Sequence, residues 1–402
     1  MFSLNVRFHD FRHHARAAVK LFVLAGVISI GHALYESRTR YDQMAFGTYF
    51  TWWSQFNHGL NPWRLGCNYT PFFIVAFAPL ANLDQRLAYW IWQALQVTAL
   101  LVVLALAFSQ LRRDVETKFV ISLGTVVLLF PHLVYGTLYE AEPTLMLLAL
   151  LLASWVLANQ GRAALAGLMV ALAALLKVYP AAAGGYFLFR RRFDVIVWSL
   201  VFSLLGLLLS GPTLWLESLF SGALPYFHTP DWARDERSLS FLLKAFSAAD
   251  ALRLPPAQQP YWILAAYLLL SLGAILLAAL ATPIRPASVE LDGICFSLWL
   301  IIALFVSPIT WSNEITFTLP LYVFVPAYLS QCCHLLRSLE TLLFSIATLG
   351  FIISYYSTPV RSLHVYFIAL LVEYTAVILI LRHSYSRRAD TADSVVQNRA
   401  RT

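Results

Sequence analysis

From about residue 19 to residue 381 the chain is one apolar run after another, broken by short polar stretches. The runs are about 15–25 residues long and continuous rather than alternating, which is the pattern of helices that cross a bilayer. Hydrocarbon offers a bare backbone no hydrogen-bond partner, so only helices or closed barrels span it, and a barrel strand would alternate. The balance of residues agrees. With 59% hydrophobic and 12% charged residues, a water-soluble domain of 402 residues could not cover its surface. The expected fold class is all-α: a polytopic membrane protein of about twelve transmembrane helices, or ten if one short pair is re-entrant.

Spans are expected near 19–34, 86–109, 119–137, 143–158, 163–177, 180–189, 193–210, 261–281, 294–310, 315–331, 341–356 and 363–381. The pair 163–177 and 180–189 is short, is joined through Lys177-Val-Tyr-Pro180, and is flanked by Arg162 and Arg190-Arg191-Arg192. Proline disfavours a straight helical continuation, so this pair reads as a hairpin with both ends on one side. Placing both termini in the cytoplasm puts most of the 28 Lys and Arg on the inner side. The remainder fall mainly in two long outer loops, 35–85 and 211–260, where charge bias counts for less. Residues 1–385 read as one membrane domain and 386–402 as a flexible cytoplasmic tail. The location expected from this layout is a bacterial inner membrane, with chemistry on the outer, periplasmic face.

Several classes are excluded at this level. The motifs GxGxxG, GxxxxGK[ST], HExxH and GxSxG are absent. The bases behind the net charge of +7 are scattered over loop ends, so no nucleic-acid partner is expected. Cys67, Cys295, Cys332 and Cys333 form no CxxC pair, and neither a metal nor a cofactor is expected.

The polar residues worth chemistry lie in the outer segments. Asp42 stands in Tyr41-Asp-Gln-Met-Ala-Phe-Gly-Thr-Tyr49, just past the first apolar run, where an acid is costly to desolvate and so invites a functional reading. Its apolar surroundings are expected to raise its basicity. The same loop carries Arg64 and Tyr69, with Trp52, Trp53 and Trp63 read as an interfacial aromatic belt. Run 71–83 begins with proline and is too short to span, so it reads as a helix lying along the interface. In Tyr139-Glu-Ala-Glu-Pro143, Glu142 opens a span, where a carboxylate suits the helix dipole and is equally available to a substrate. Lys177 ends its short span beside Tyr179, a place for snorkelling or for holding a phosphodiester. In Ser307-Pro-Ile-Thr-Trp-Ser-Asn-Glu-Ile315 the chain breaks a hydrophobic hairpin and offers Trp311, Asn313 and Glu314 to a sugar.

Four places in order resemble glycosyltransferase family 87, within the GT-C class of membrane glycosyltransferases that use polyprenyl-phosphate sugars. They are Tyr41-Asp42 with Gly47 and Tyr49; Tyr69-Thr-Pro-Phe-Phe with Phe77-Ala-Pro-Leu80; Leu176-Lys-Val-Tyr-Pro180 before the arginines; and Ser307-Pro-Ile-Thr-Trp311. The resemblance implies a polyprenyl-phosphate sugar donor, a lipid-linked or glycan acceptor, and Asp42 as general base of an inverting displacement. A mannose- or arabinose-like sugar is expected. Two positions depart from the family pattern. Tyr69-Thr70-Pro71 stands where the family often has Tyr-Pro-Pro, and Asn313-Glu314 where it often has a His-His pair, so a histidine contact to the donor phosphate does not carry over.

Two other readings compete. A glycan polymerase or ligase would share the outer-face chemistry, and loop 211–260 holds Arg234, Arg237, Lys244, Arg253 and His228 in its favour. A twelve-span transporter or flippase fits the span count, but the paired halves with matching helix breaks that transporters show are not evident, since only one break stands out.

Overall fold

The computed structural model describes residues 24, 26–111, 134–223, 248–255, 258–286, 288–307, 310–329, 339–356 and 365–399. The expected span 119–137 and the outer loop 211–260 therefore fall in large part outside the described residues, as does the basic N-terminal segment. After a helical stretch over 26–37, the helices are α1 (Ala45–Asn57), α2 (Pro71–Phe77), α3 (Gln85–Ser109), α4 (Gly136–Glu140), α5 (Thr144–Asn159), α6 (Ala163–Leu176) and α7 (Gly184–Phe189). The series continues with α8 (Phe193–Ser210), α9 (Pro212–Glu217), α10 (Gln259–Ala281), α11 (Val289–Val306), α12 (Leu321–Leu329), α13 (Leu339–Tyr356) and α14 (Val365–Arg399). No strand occurs among the described residues.

Among the described residues five helices are long and apolar enough to cross a membrane: α3, α8, α10, α11 and the Val365–Ser384 part of α14. They are not equivalent. Of its apolar stretch, α11 has 89% buried in the protein and α8 only 22%, so α11 is the central post and α8 faces outward. Shorter apolar helices, α5, α6 and the run Pro71–Asn82 among them, pack between these posts.

Close packing of α6 on α8 depends on a glycine. A Cβ on Gly167 would lie 2.6 Å from Trp198 Cβ and 2.7 Å from the Ser199 nitrogen, so a side chain there would force the helices apart. The segment following α6 behaves as the sequence suggests. Lys177 leaves the helix in extended conformation, the turn Tyr179–Ala183 takes up Pro180, and α7 returns. Arg192 Nη1 then donates to the Ala158 carbonyl at 2.9 Å, which brings both ends of the hairpin to one side.

Elsewhere the sequence reading is corrected. Over 315–331 the chain forms a 3-10 turn, Ser312–Thr318, and then the short α12 with Pro326 inside it, rather than one unbroken span. Proline lacks the N–H that would continue the helical ladder. Helix α14 runs on to Arg399, into the segment 386–402 expected to be a tail. Trp52, Trp53 and Trp63 are buried, not an interfacial belt: Trp53 packs with Phe73, Phe77 and Trp92 where α1 meets α2 and α3, and Trp52 lies against Tyr49 and Tyr69. Run 71–83 is helical, as α2 followed by the 3-10 turn Ala78–Asn82. Its cap, Thr70, accepts the Phe73 N–H at 3.2 Å and its hydroxyl bonds the Leu175 carbonyl, anchoring the first loop to the end of α6. The two long loops meet at Asn61, whose side chain donates to Glu217 at 2.8 Å.

Candidate functional site

Helix α1 presents Tyr49 inward, and the loop after it is held so that Tyr69 meets it. Asn61 caps the turn Pro62–Leu65 by accepting the Trp63 and Arg64 N–H groups, and the buried Trp63 indole then donates to the Tyr69 carbonyl at 2.9 Å. The Tyr49 and Tyr69 hydroxyls lie 2.8 Å apart, and Tyr69 donates to Glu142 Oε2 at 3.0 Å. Because the Tyr69 proton goes to Glu142, Tyr49 is the donor to Tyr69. Two hydroxyls thus form a chain that ends on a carboxylate.

Glu142 is set by an unusual backbone. Ala141, fully buried, has φ +57°, a left-handed conformation that costs a residue with a side chain, and its carbonyl accepts the Trp92 indole N–H at 2.7 Å. The kink stops α4 and turns Glu142 towards Tyr69 before Pro143 starts α5.

Lys177 and Glu314 supply the other half. Lys177 Nζ lies 2.5 Å from Glu314 Oε1, with Glu314 wholly buried and the Lys177 side chain 14% exposed. The ammonium also sits over the rings of Tyr69 and Tyr179, at 5.1 and 5.2 Å. The second Glu314 oxygen accepts the Trp311 N–H at 3.1 Å, capping its own turn. That turn is docked by Thr137, which donates to the Asn313 carbonyl at 2.9 Å. Asn313 Oδ1 is buried without a hydrogen-bond partner.

Charge and burial work against each other here. Burial pushes the Glu314 carboxyl above its usual value, while Lys177 pulls it part of the way back and Glu142 pushes it up again. Tyr49 and Tyr69 are driven well above the ordinary phenol value, first by burial and then by the Glu142 carboxylate, so both stay protonated donors. The Cys67 thiol, beside the Tyr69 carbonyl, is pushed up to about 12 by burial, which leaves it inert.

Of the residues singled out in the sequence, Tyr69, Glu142, Lys177, Trp311, Asn313 and Glu314 come together at one end of the bundle. Two stand apart. Arg64 is exposed on its turn. Asp42 is also exposed, in the turn before α1, rather than enclosed by apolar groups as its sequence context suggests. Its backbone is nevertheless fixed: Gly47 lies so close that a Cβ there would sit 2.1 Å from the Asp42 carbonyl oxygen.

A second polar cluster was not anticipated. Asp292, in the first turn of α11, accepts Tyr186 OH at 2.6 Å and Arg190 Nη1 at 2.9 Å on one oxygen. Its other oxygen accepts the Trp155 indole and Asn159 Nδ2, both at 3.0 Å. The available signal was helical spacing: Trp155 with Asn159, and Tyr186 with Arg190, are each four apart and so share a helix face.

These observations define a helical membrane protein with a buried acid–ammonium–phenol site at one end. Residues 68–308 match the family model of glycosyltransferase family 87, more than half of the chain, and the protein belongs to that family. The match includes Tyr69, Glu142 and Lys177; Asp42, Trp311, Asn313 and Glu314 lie outside it. No curated protein and no solved structure matches the chain significantly.

Proposed function

We propose that the protein is an inverting glycosyltransferase that moves a mannose- or arabinose-like sugar from a polyprenyl phosphate to a lipid-linked or glycan acceptor, at the outer face of a bacterial inner membrane. The observation that carries this reading is the convergence, at one end of the bundle, of Tyr69, Glu142, Lys177 and Glu314 from four separated segments. Membership of the family supports the transferase chemistry.

In this reading the acceptor oxygen attacks the anomeric carbon as the bond from that carbon to the phosphate oxygen breaks. Asp42 takes the acceptor proton, and its exposure leaves it open to an incoming hydroxyl. Lys177 receives the developing phosphate charge, with Arg64 a second cation on the loop above. Glu142, Trp311 and Asn313 address the sugar. Asn313 Oδ1 has a free acceptor, and Glu142 is already oriented by Tyr69.

The test is purified protein incubated with a panel of polyprenyl-phosphate sugars and read by mass spectrometry. Asp42→Asn should lower transfer by about two to four orders of magnitude without changing expression. Near-normal transfer by Asp42→Asn, with loss in Glu142→Gln or Glu314→Gln, would reassign the base. Absence of transfer from every donor, with solute transport in its place, would end the transferase reading.

A further inference from the structure

Lys177 is not waiting for an anion, because it already holds one. Glu314 Oε1 contacts the ammonium at 2.5 Å, and the Tyr69 and Tyr179 rings take two of its other sides. If Lys177 seats the donor phosphate, as proposed above, the phosphate and Glu314 compete for one place. The charges sharpen the conflict. Glu142 and Glu314 are two carboxylates facing a single ammonium, so with all three ionised the cluster is already one negative charge in excess. A phosphodiester would add another negative charge to a buried site.

We infer that Glu314 is an internal stand-in for the donor phosphate, and that donor binding transfers one proton from solvent to Glu314. The ion pair of Glu314 with Lys177 breaks, a pair of Lys177 with the phosphate forms, and the added proton cancels the added charge. Glu314 can change role without moving, because Oε2 keeps the Trp311 N–H at 3.1 Å while a protonated Oε1 donates to the phosphate in place of competing with it. This assignment rests on the polyprenyl-phosphate reading.

Other titratable groups facing Glu314 are poorly placed to take that proton. Lys177, at the end of α6, already carries its own. Tyr179 on the following turn, Tyr69 on the first loop and Tyr49 on α1 are phenols that burial holds in the protonated form. Glu142, ahead of α5, is the one rival; it accepts from Tyr69, whereas Glu314 is the carboxylate in direct contact with the ammonium. The raised Glu314 carboxyl is in accord with the choice.

The experiment uses the full chain in detergent and a polyprenyl methyl phosphate, a diester with one charge that does not titrate near neutral pH and has no sugar to transfer. Calorimetry in buffers of different ionisation enthalpy should show uptake of about one proton per ligand bound by the unmodified protein. Affinity should fall by up to about tenfold per pH unit once Glu314 ionises in the free protein. Glu314→Gln, which imitates the protonated acid, should take up no proton, bind independently of pH and bind at least about tenfold more tightly at pH 8. Glu142→Gln should keep the proton uptake. Binding without proton uptake, a pH response surviving in Glu314→Gln, or weaker binding by that variant would each overturn the inference alone. Failure of the unmodified protein to bind the diester, or undiminished binding by Lys177→Met, would remove the phosphate seat and the donor reading with it. Should Glu314→Gln not fold, the buffer series on the unmodified protein still decides.

Discussion

Two of the buried polar clusters in the bundle are built largely from the same elements and are opposite in character. Glu142 precedes α5 and Asn159 ends it, about 24 Å apart at the helical rise. The hairpin gives Lys177 to one cluster and Tyr186 with Arg190 to the other; α11 gives Asp292 to one, and the turn beyond it gives Glu314 to the other. At the Asp292 end one acid meets one base and four donors fill both carboxylate oxygens, leaving only Arg190 Nε without a partner. At the Glu142 end two acids share one ammonium, and Asn313 Oδ1 lacks a partner. A saturated, charge-balanced cluster holds helices together. An unsaturated one with excess charge has capacity for something else.

If that contrast is right, the two ends must fail differently. Asp292→Ala removes the acceptor of four donors and strands Arg190, so the stability loss should be the largest, about 3–5 kcal/mol, read as thermal midpoint or yield in detergent. Transfer per folded molecule should persist; an active-site defect at unchanged stability would erase the distinction. Lys177→Met should cost less stability, about 1–3 kcal/mol, because Glu314 can take a proton when its cation goes. The same variant should lose polyprenyl-phosphate binding, which a purely structural lysine would leave intact. Smallest is Tyr69→Phe, at about 1–2 kcal/mol from its two lost hydrogen bonds, to Tyr49 and to Glu142. Its use is in sharpening: if Glu142 is oriented through Tyr69, turnover falls more than stability does, and a double variant with Glu142→Gln shows coupling rather than additivity.

The sequence exposed these ends unequally, for reasons of range. Pro180 places Lys177 at a helix end by local sterics alone, and Pro143 likewise marks Glu142 as the residue before a helix. That Lys177 pairs with Glu314, 137 positions away, rests on how the turn Tyr179–Ala183 packs on α11, which no local rule contains. Asp292 does not stand out in the sequence, because an acid in the first turn of an apolar helix has an ordinary explanation in the helix dipole. The burial of Trp52, Trp53 and Trp63 is not legible in the sequence because tryptophan near a span end suits an interface equally well; long-range contacts such as Thr70 to Leu175, over 105 positions, and Tyr69 to Glu142 show the loop folded down onto the bundle. Asp42 was legible as a position but not as an environment, since its neighbours in sequence are apolar and its side chain is exposed.

Gly47 has a consequence for how this protein tolerates change. A single methyl group there, uncharged and touching no substrate, would overlap the Asp42 main chain, with the carbonyl carbon at 2.6 Å and Cα at 2.9 Å. The first turn of α1 would then have to shift, taking the carboxylate with it, and a displacement near 1 Å is enough to cost about a hundredfold in rate. If Asp42 is the base proposed above, alanine at 47 is thus a lesion of aim: the protein retains every named side chain yet presents the acid at the wrong angle. Sequence variation around the acid is limited by what may stand five residues after it as well as by what may replace Asp42 itself.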